Sequence, residues 1–277
     1  MATKRALFPL GLGVSATVAG AFLLLPLVAI FTRVPLGRLV NQLGRGVVTD
    51  AIVVSVETTL IAQALILLFG TPVAYLLATR RFPGRSLAVT LVELPLVLPP
   101  AVAGIGLLAA FGRVGLLGPT LSFLGWQVPF TQAAVVMAVA FVASPLYVRQ
   151  AITAFEAVDP VLVDASRTLG AGEARTFARI VVPLAKTGLA AGAALAFARG
   201  LGEFGATIMF AGSLQGRTQT LPLAIYAEFD SNFDTALAIG GLLVVVSAVL
   251  LVSLKLRFRW KRSGSTSRFP AAPSTSS

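Results

Sequence analysis

Residues 143–188 read ASPLYVRQAITAFEAVDPVLVDASRTLGAGEARTFARIVVPLAKTG, a stretch of mixed polarity set between two strongly apolar runs. Three pieces of it have helical character, at 148–158, 160–169 and 174–180. Asp159 before Pro160 reads as a helix start, because an Asp carboxylate accepts from free first-turn amides and Pro fits a position that needs no N–H. Gly170 and Gly172 mark the turn that follows. In the middle piece Leu162, Ala165 and Leu169 recur at helical spacing, while Asp164, Arg167 and Thr168 face water or another protein. Periodicity alone leaves two readings open: an amphipathic hairpin that only connects its neighbours, or a surface that a partner grips.

Working outward, the chain on either side is strongly apolar. Of 277 residues 56% are hydrophobic and only 12% charged, and the mean hydropathy is +0.89. A water-soluble fold with so few charges would expose large apolar patches. Runs of membrane-spanning length fall at about 8–31, 51–79, 87–110, 131–147, 187–210 and 235–254. A helix rising about 1.5 Å per residue crosses a hydrocarbon core of about 30 Å in roughly twenty residues. The expected fold class is therefore an all-α integral membrane protein with about six transmembrane helices. The first run could also be read as a cleavable signal peptide; it exceeds a usual h-region and lacks a small-x-small cleavage site, so retention as a span is expected. Pro95, Pro99, Pro100, Gly104 and Gly106 crowd the third run and predict a kinked or interrupted helix at a protein-lined position.

The net charge is +11, from 22 Lys plus Arg against 11 Asp plus Glu. The basic residues cluster between apolar runs and form no single stripe, which argues against a nucleic-acid partner. With the N-terminus inside, the inner segments hold Lys4 and Arg5; Arg80, Arg81 and Arg85; Arg149, Arg167, Arg175, Arg179 and Lys186; and Lys255, Arg257, Arg259, Lys261, Arg262 and Arg268. The outer segments hold Arg33, Arg38, Arg45, Arg113 and Arg217. Sixteen against five puts both termini in the cytoplasm, with the chain in the cell inner membrane and in contact with its lipid. Residues 263–277, rich in Ser, Thr and Pro, read as a disordered cytoplasmic tail.

Neither cysteine nor histidine occurs, which removes disulfides, thiolate chemistry, imidazole bases and the usual zinc ligands. No G-x-x-x-x-G-K-[S/T] run is present, so no ATP site, catalytic residue, cofactor or metal is expected on this chain.

The 143–188 stretch resembles the EAA motif of ABC importer membrane subunits: Glu-Ala-Ala, three residues, Gly, nine residues, Ile, one residue, Leu-Pro. Asp164, Ala165 and Ser166 stand for the triad, Gly170 for the glycine, Ile180 for the isoleucine, and Val182 with Pro183 for the final pair. Asp for Glu, Ser for Ala and Val for Leu are departures that keep acidity, size and apolar character. The resemblance implies a type I importer permease domain over 1–262, with a cytoplasmic coupling loop at about 148–186. It also implies that this loop docks on a separate subunit carrying MgATP. Asp164, Ala165, Ser166, Leu169, Gly170 and Ala171 would form the docking surface, and Ile180 and Pro183 would support the return to the membrane.

A second region, 198–226, reads ARGLGEFGATIMFAGSLQGRTQTLPLAIY. Arg199 and Glu203, four apart, can share a helix face and offset each other's desolvation; they either hold helices together or line a gate. Thr207 adds a polar group nearby. GEFGATIMFAG and GRTQTLPLAIY resemble the molybdate permease subunits of ABC importers, over nearly the whole chain to about Leu254. That resemblance implies a homodimeric pathway, two ATPase subunits below and an extracytoplasmic oxyanion-binding protein above. Tungstate or sulfate permeases share the architecture and remain open as alternatives. An ion-coupled secondary transporter or a membrane scaffold are the readings from other classes.

Overall fold

A computed structural model describes residues 2–33 and 35–263, and every described element is helical. In chain order these are α1 (Ala2–Arg33), α2 (Leu36–Leu43), α3 (Gly46–Thr79), α4 (Arg85–Val97), α5 (Pro100–Phe111), α6 (Gly118–Phe123), α7 (Gln132–Glu156), α8 (Pro160–Thr168) and α9 (Glu173–Thr176). After a π-turn at Phe177–Val181 come α10 (Val182–Leu201), α11 (Gly205–Ala211), α12 (Leu221–Glu228) and α13 (Phe233–Ser263). Five helices are long and apolar enough to cross a membrane, and a sixth crossing results if the bent pair α4–α5 counts as one. The tail at 263–277 falls, but for Ser263, outside the described residues.

Small residues set the packing of the bundle. Gly188, Gly192, Ala196 and Gly200 recur every fourth residue on α10 and form a stripe against α7. A Cβ at Gly188 would meet Ala154, one at Gly192 would meet Gln150, and one at Gly200 would meet Val139, so the two helices run antiparallel with backbones close together. In lipid, where no hydrophobic force draws helices together, such approach supplies the dispersion contacts that hold a bundle. α7 is the central member: it also packs along α3, where Gly70 admits the Tyr147 ring and Thr71 and Tyr147 share a 2.6 Å hydroxyl hydrogen bond. Outward-facing side chains are apolar, as a hydrocarbon solvent requires: Phe22 is 76% exposed and Phe69 64%.

Two spans are broken. The third, expected to be kinked within Pro95–Gly106, bends by 114° between α4 and α5, because Pro99 and Pro100 offer no N–H to carry the ladder onward. The fifth differs from expectation. It begins earlier, at Glu173, and ends at Leu201; Gly202, Glu203 and Phe204 leave the helix before α11 resumes at Gly205. The two breaks adjoin, since a Cβ on Gly205 would lie 2.5 Å from Pro100 Cβ and one on Gly104 would lie 2.6 Å from the Ala206 carbonyl oxygen. The fourth span also runs on past 147, to Glu156, with Pro145 inside it. The helical piece expected from 148 is thus continuous with the fourth span, α7 carrying on through the polar residues Arg149 and Gln150.

Candidate functional site

Two places concentrate the residues singled out in the sequence. The first is the connection carrying α8. Asp159 Oδ1 accepts from Val161 N at 2.9 Å, with Pro160 in the first turn, as the Asp-Pro pair predicts. The helix closes on Gly170, whose φ is +81°. Gly170 N donates to Arg167 O at 2.9 Å and Ala171 N to Ser166 O at 3.0 Å, the paired bonds of a Schellman cap. Ser166 turns inward: its Oγ lies 2.8 Å from Val163 O and 2.9 Å from Thr176 Oγ1, and Thr176 is buried. Asp164 faces out, 3.8 Å from Arg167. Ala165 and Gly170 are exposed and Ala171 is half-buried.

Val161, Leu162 and Leu169 are exposed as well, Leu169 by 87%. The apolar stripe of α8 is thus largely bare, most of all at Leu169. Beside it, Leu162, Arg179, Ile180, Pro183 and Leu184 line a shallow groove of about 280 Å³. Ile180 sits in the π-turn. Pro183 sits just beyond, where its ring would clash with the Arg179 carbonyl in a regular α-helix; the wider π-turn makes room for it.

The elements that flank the connection are tied to the bundle by residues that the sequence pattern did not single out. Tyr75, Phe155 and Phe177 form an aromatic cluster with centroid separations of 5.5, 4.6 and 6.1 Å, a geometry that stabilises each pair by about 0.5–1.5 kcal/mol. Arg80 pairs with Glu173 at 3.1 Å, Arg85 with Glu156 at 2.7 Å and Arg149 with Glu93 at 3.5 Å. Each pair is exposed and contributes at most about 1 kcal/mol, so the aromatic cluster dominates. Arg80, Arg85 and Arg149 enter the sequence reading only as topology signals; their acidic partners lie 93, 71 and 56 residues away, too far for any local pattern to pair them.

The second place is the break between α10 and α11. Glu203 is 2% exposed. Its Oε1 accepts from Ala206 N at 2.8 Å and so caps α11. Its Oε2 lies 2.7 Å from Arg199 Nη1, out of line for a hydrogen bond, so the attraction there is chiefly coulombic. Thr207, fully buried, has no hydrogen-bond partner for its Oγ1. Arg199 and Glu203 are brought together as their spacing predicts. Glu203→Ala removes both the cap and the counter-charge, a loss near the lower end of the roughly 3–5 kcal/mol for breaking a buried pair, because Arg199 remains one-third exposed. Glu203→Gln keeps an acceptor for Ala206 and is expected to fall between that variant and wild type in thermal unfolding of the purified protein.

A family model described as "Binding-protein-dependent transport system inner membrane component" matches residues 67–258, which include both places. The chain belongs to this family. It is thus a non-catalytic membrane permease component of an ABC-type importer, and membership implies an assembly with a binding protein and ATPase subunits. The chain is 42% identical to the molybdenum transport system permease protein ModB of Mycobacterium tuberculosis, over 87% of this chain and 91% of the relative. It is 32% identical to the sulfate transport system permease protein CysW of Synechococcus elongatus, over 92% of each. In fold it is similar to a bacterial ABC transporter involved in the import of the acidic polysaccharide alginate, with a TM-score of 0.67, covering 92% of this chain and 96% of that one at 17% identity. Among the described residues no group of His, Cys, Asp or Glu is placed to hold a metal ion.

Proposed function

We propose that two copies of this permease form the pathway of an ATP-driven importer for molybdate, with an oxyanion-binding protein delivering the ion and two ATPase subunits hydrolysing MgATP. The observation that carries the substrate is the identity of 42% to a molybdenum permease, sustained over nearly the full length of both chains, against 32% to a sulfate permease. The orientation follows from the Lys and Arg bias, which puts both termini and the α8 connection on the cytoplasmic side of the inner membrane.

On this reading Asp164, Ala165, Ser166, Leu169, Gly170 and Ala171 form the ATPase-coupling surface. The exposed stripe of Val161, Leu162, Ala165 and Leu169 supports it, because a partner groove would bury what the chain leaves bare. Ile180 and Pro183 relay movement of that surface into α10, and the aromatic cluster of Tyr75, Phe155 and Phe177 ties the π-turn, against which α8 packs, to α3 and α7. Arg199, Glu203 and Thr207 lie where two broken helices adjoin, the kind of place at which transporters change shape, and are proposed as gate elements.

Competitive uptake into vesicles tests the function, with the cognate binding protein outside and ATP inside. Molybdate is expected to enter in an ATP-dependent way, with tungstate competing and sulfate competing weakly. Preferred sulfate uptake would replace the substrate with its runner-up, and uptake without the ATPase subunits would refute the importer mechanism.

A further inference from the structure

The connection between α5 and α7 is unlike the other loops. Residues 112–131 contain one charge, Arg113, and are otherwise apolar or uncharged. Val114 is 100% exposed, Phe123 90%, Leu116 87% and Trp126 66%. These side chains are held out by an ordered backbone. Leu116 N and Leu117 N donate to Ala109 O and Ala110 O at 2.9 and 2.8 Å, folding the chain back on the end of α5, and Trp126 N donates to Leu121 O at 2.8 Å. Phe130 adopts a φ of +62°, a left-handed conformation that L-residues rarely take, and its N–H reaches Phe210 O.

Phe111, just before the segment, shares an apolar depression with Leu65, Phe69, Met137 and Phe141, and Thr131, where the segment ends, is the N-cap of α7. The six residues of α6 are far too few to cross a bilayer. The segment and the end of α5 enclose a cavity of about 490 Å³ whose lining includes Leu108, Phe111, Leu121, Trp126 and Phe130, with Arg113, Ser122 and Gln127 as its polar side chains. Arg113 is exposed and makes no ion pair within the described residues.

We propose that residues 112–131 are a phospholipid-binding element: an acyl chain of the bilayer occupies the cavity, the lipid phosphate pairs with Arg113, and Phe123 and Trp126 sit at the membrane–water boundary. A water-soluble protein partner would ordinarily meet a polar rim around an apolar centre, and this segment offers a single charge. Apolar walls with one cation match a lipid's two chemistries, and Trp is the side chain enriched at that boundary. Arg gives a phosphate planar, bidentate donors.

Trp126 itself reports on the proposal. Trp260 is the chain's other tryptophan, so full-length Trp260→Phe protein in phospholipid vesicles isolates the Trp126 signal. A Trp126→Phe sample measured beside it gives the same signal by difference from wild type if the first variant folds poorly. Lipids brominated on the acyl chain are expected to quench Trp126 at least twofold, with little quenching by aqueous iodide. Brominated phosphatidylglycerol is expected to quench more than brominated phosphatidylcholine, and Arg113→Gln to equalise the two. Quenching by iodide with no effect of bromolipid would place the segment in water and overturn the proposal. Quenching by neither would mean that protein covers it, which overturns the proposal equally. An Arg113→Gln protein that keeps its preference for phosphatidylglycerol would overturn the headgroup assignment.

Discussion

Gly170→Val is expected to leave the transporter assembled while cutting ATP-driven uptake about tenfold. Gly170 holds φ at +81° to close the Schellman cap behind α8. An L-residue in that region costs roughly 1–2 kcal/mol, and a β-branched one lies at the unfavourable end. Nothing stands within 4 Å of a Cβ added there, so the penalty is conformational and not a clash. The loop can escape it only by opening the cap, which displaces Leu169 and Ala171 from the proposed docking surface. About 1.4 kcal/mol removes a factor of ten from the population of the competent loop. Gly170→Asn, which tolerates the left-handed region, is expected to retain most of the uptake. Gly172→Val is the matched control, since Gly172 has an ordinary φ of −68° and open space about it. The measurement is uptake alongside ATPase rate and subunit stoichiometry. Normal coupling in the Gly170→Val complex would remove the coupling role from α8.

What could be read from the sequence was local. Asp159, Pro160 and Gly170 set the ends of α8 through their own backbone chemistry, and each is found in that role. The apolar runs mark the spans because hydropathy integrates over about twenty residues and tolerates small errors. For the same reason it misplaced the end of the fifth span: Gly202 and Phe204 are as membrane-compatible as the residues of a helix, and Glu203 meets its needs through one amide and one arginine. The helical piece expected from 148 proves continuous with the fourth span. An apolar run stops at Tyr147, yet polarity does not end a helix, and α7 continues to Glu156. The pairings that tie the π-turn after α8 to the bundle were invisible, because Tyr75, Phe155 and Phe177 meet only once three separate elements are folded.

The junction of the two broken spans yields the other large effect: Gly104→Val is expected to abolish uptake and lower the thermal stability of the complex. A Cβ at Gly104 would sit 2.6 Å from Ala206 O, 2.7 Å from Met209 Cβ and 2.9 Å from Ala206 Cα. Two of these three obstacles are backbone atoms of α11 and cannot rotate aside, so relief requires α5 and α11 to separate. Even Gly104→Ala poses the question in miniature. Alanine gains about 1 kcal/mol over glycine in a helix interior, while overpacking costs about 1–3 kcal/mol; with backbone as the obstacle the second term prevails, and Gly104→Ala is expected to melt at a lower temperature than wild type. Gly106, on the same helix, has nothing within 4 Å of its missing Cβ, so Gly106→Ala is expected to melt at the same temperature or higher. Loss of stability at both positions would show that alanine harms α5 for reasons of flexibility. Loss at position 104 alone shows that the helix was built without a side chain there so that the Pro99–Pro100 bend and the Glu203 cap could be brought side by side.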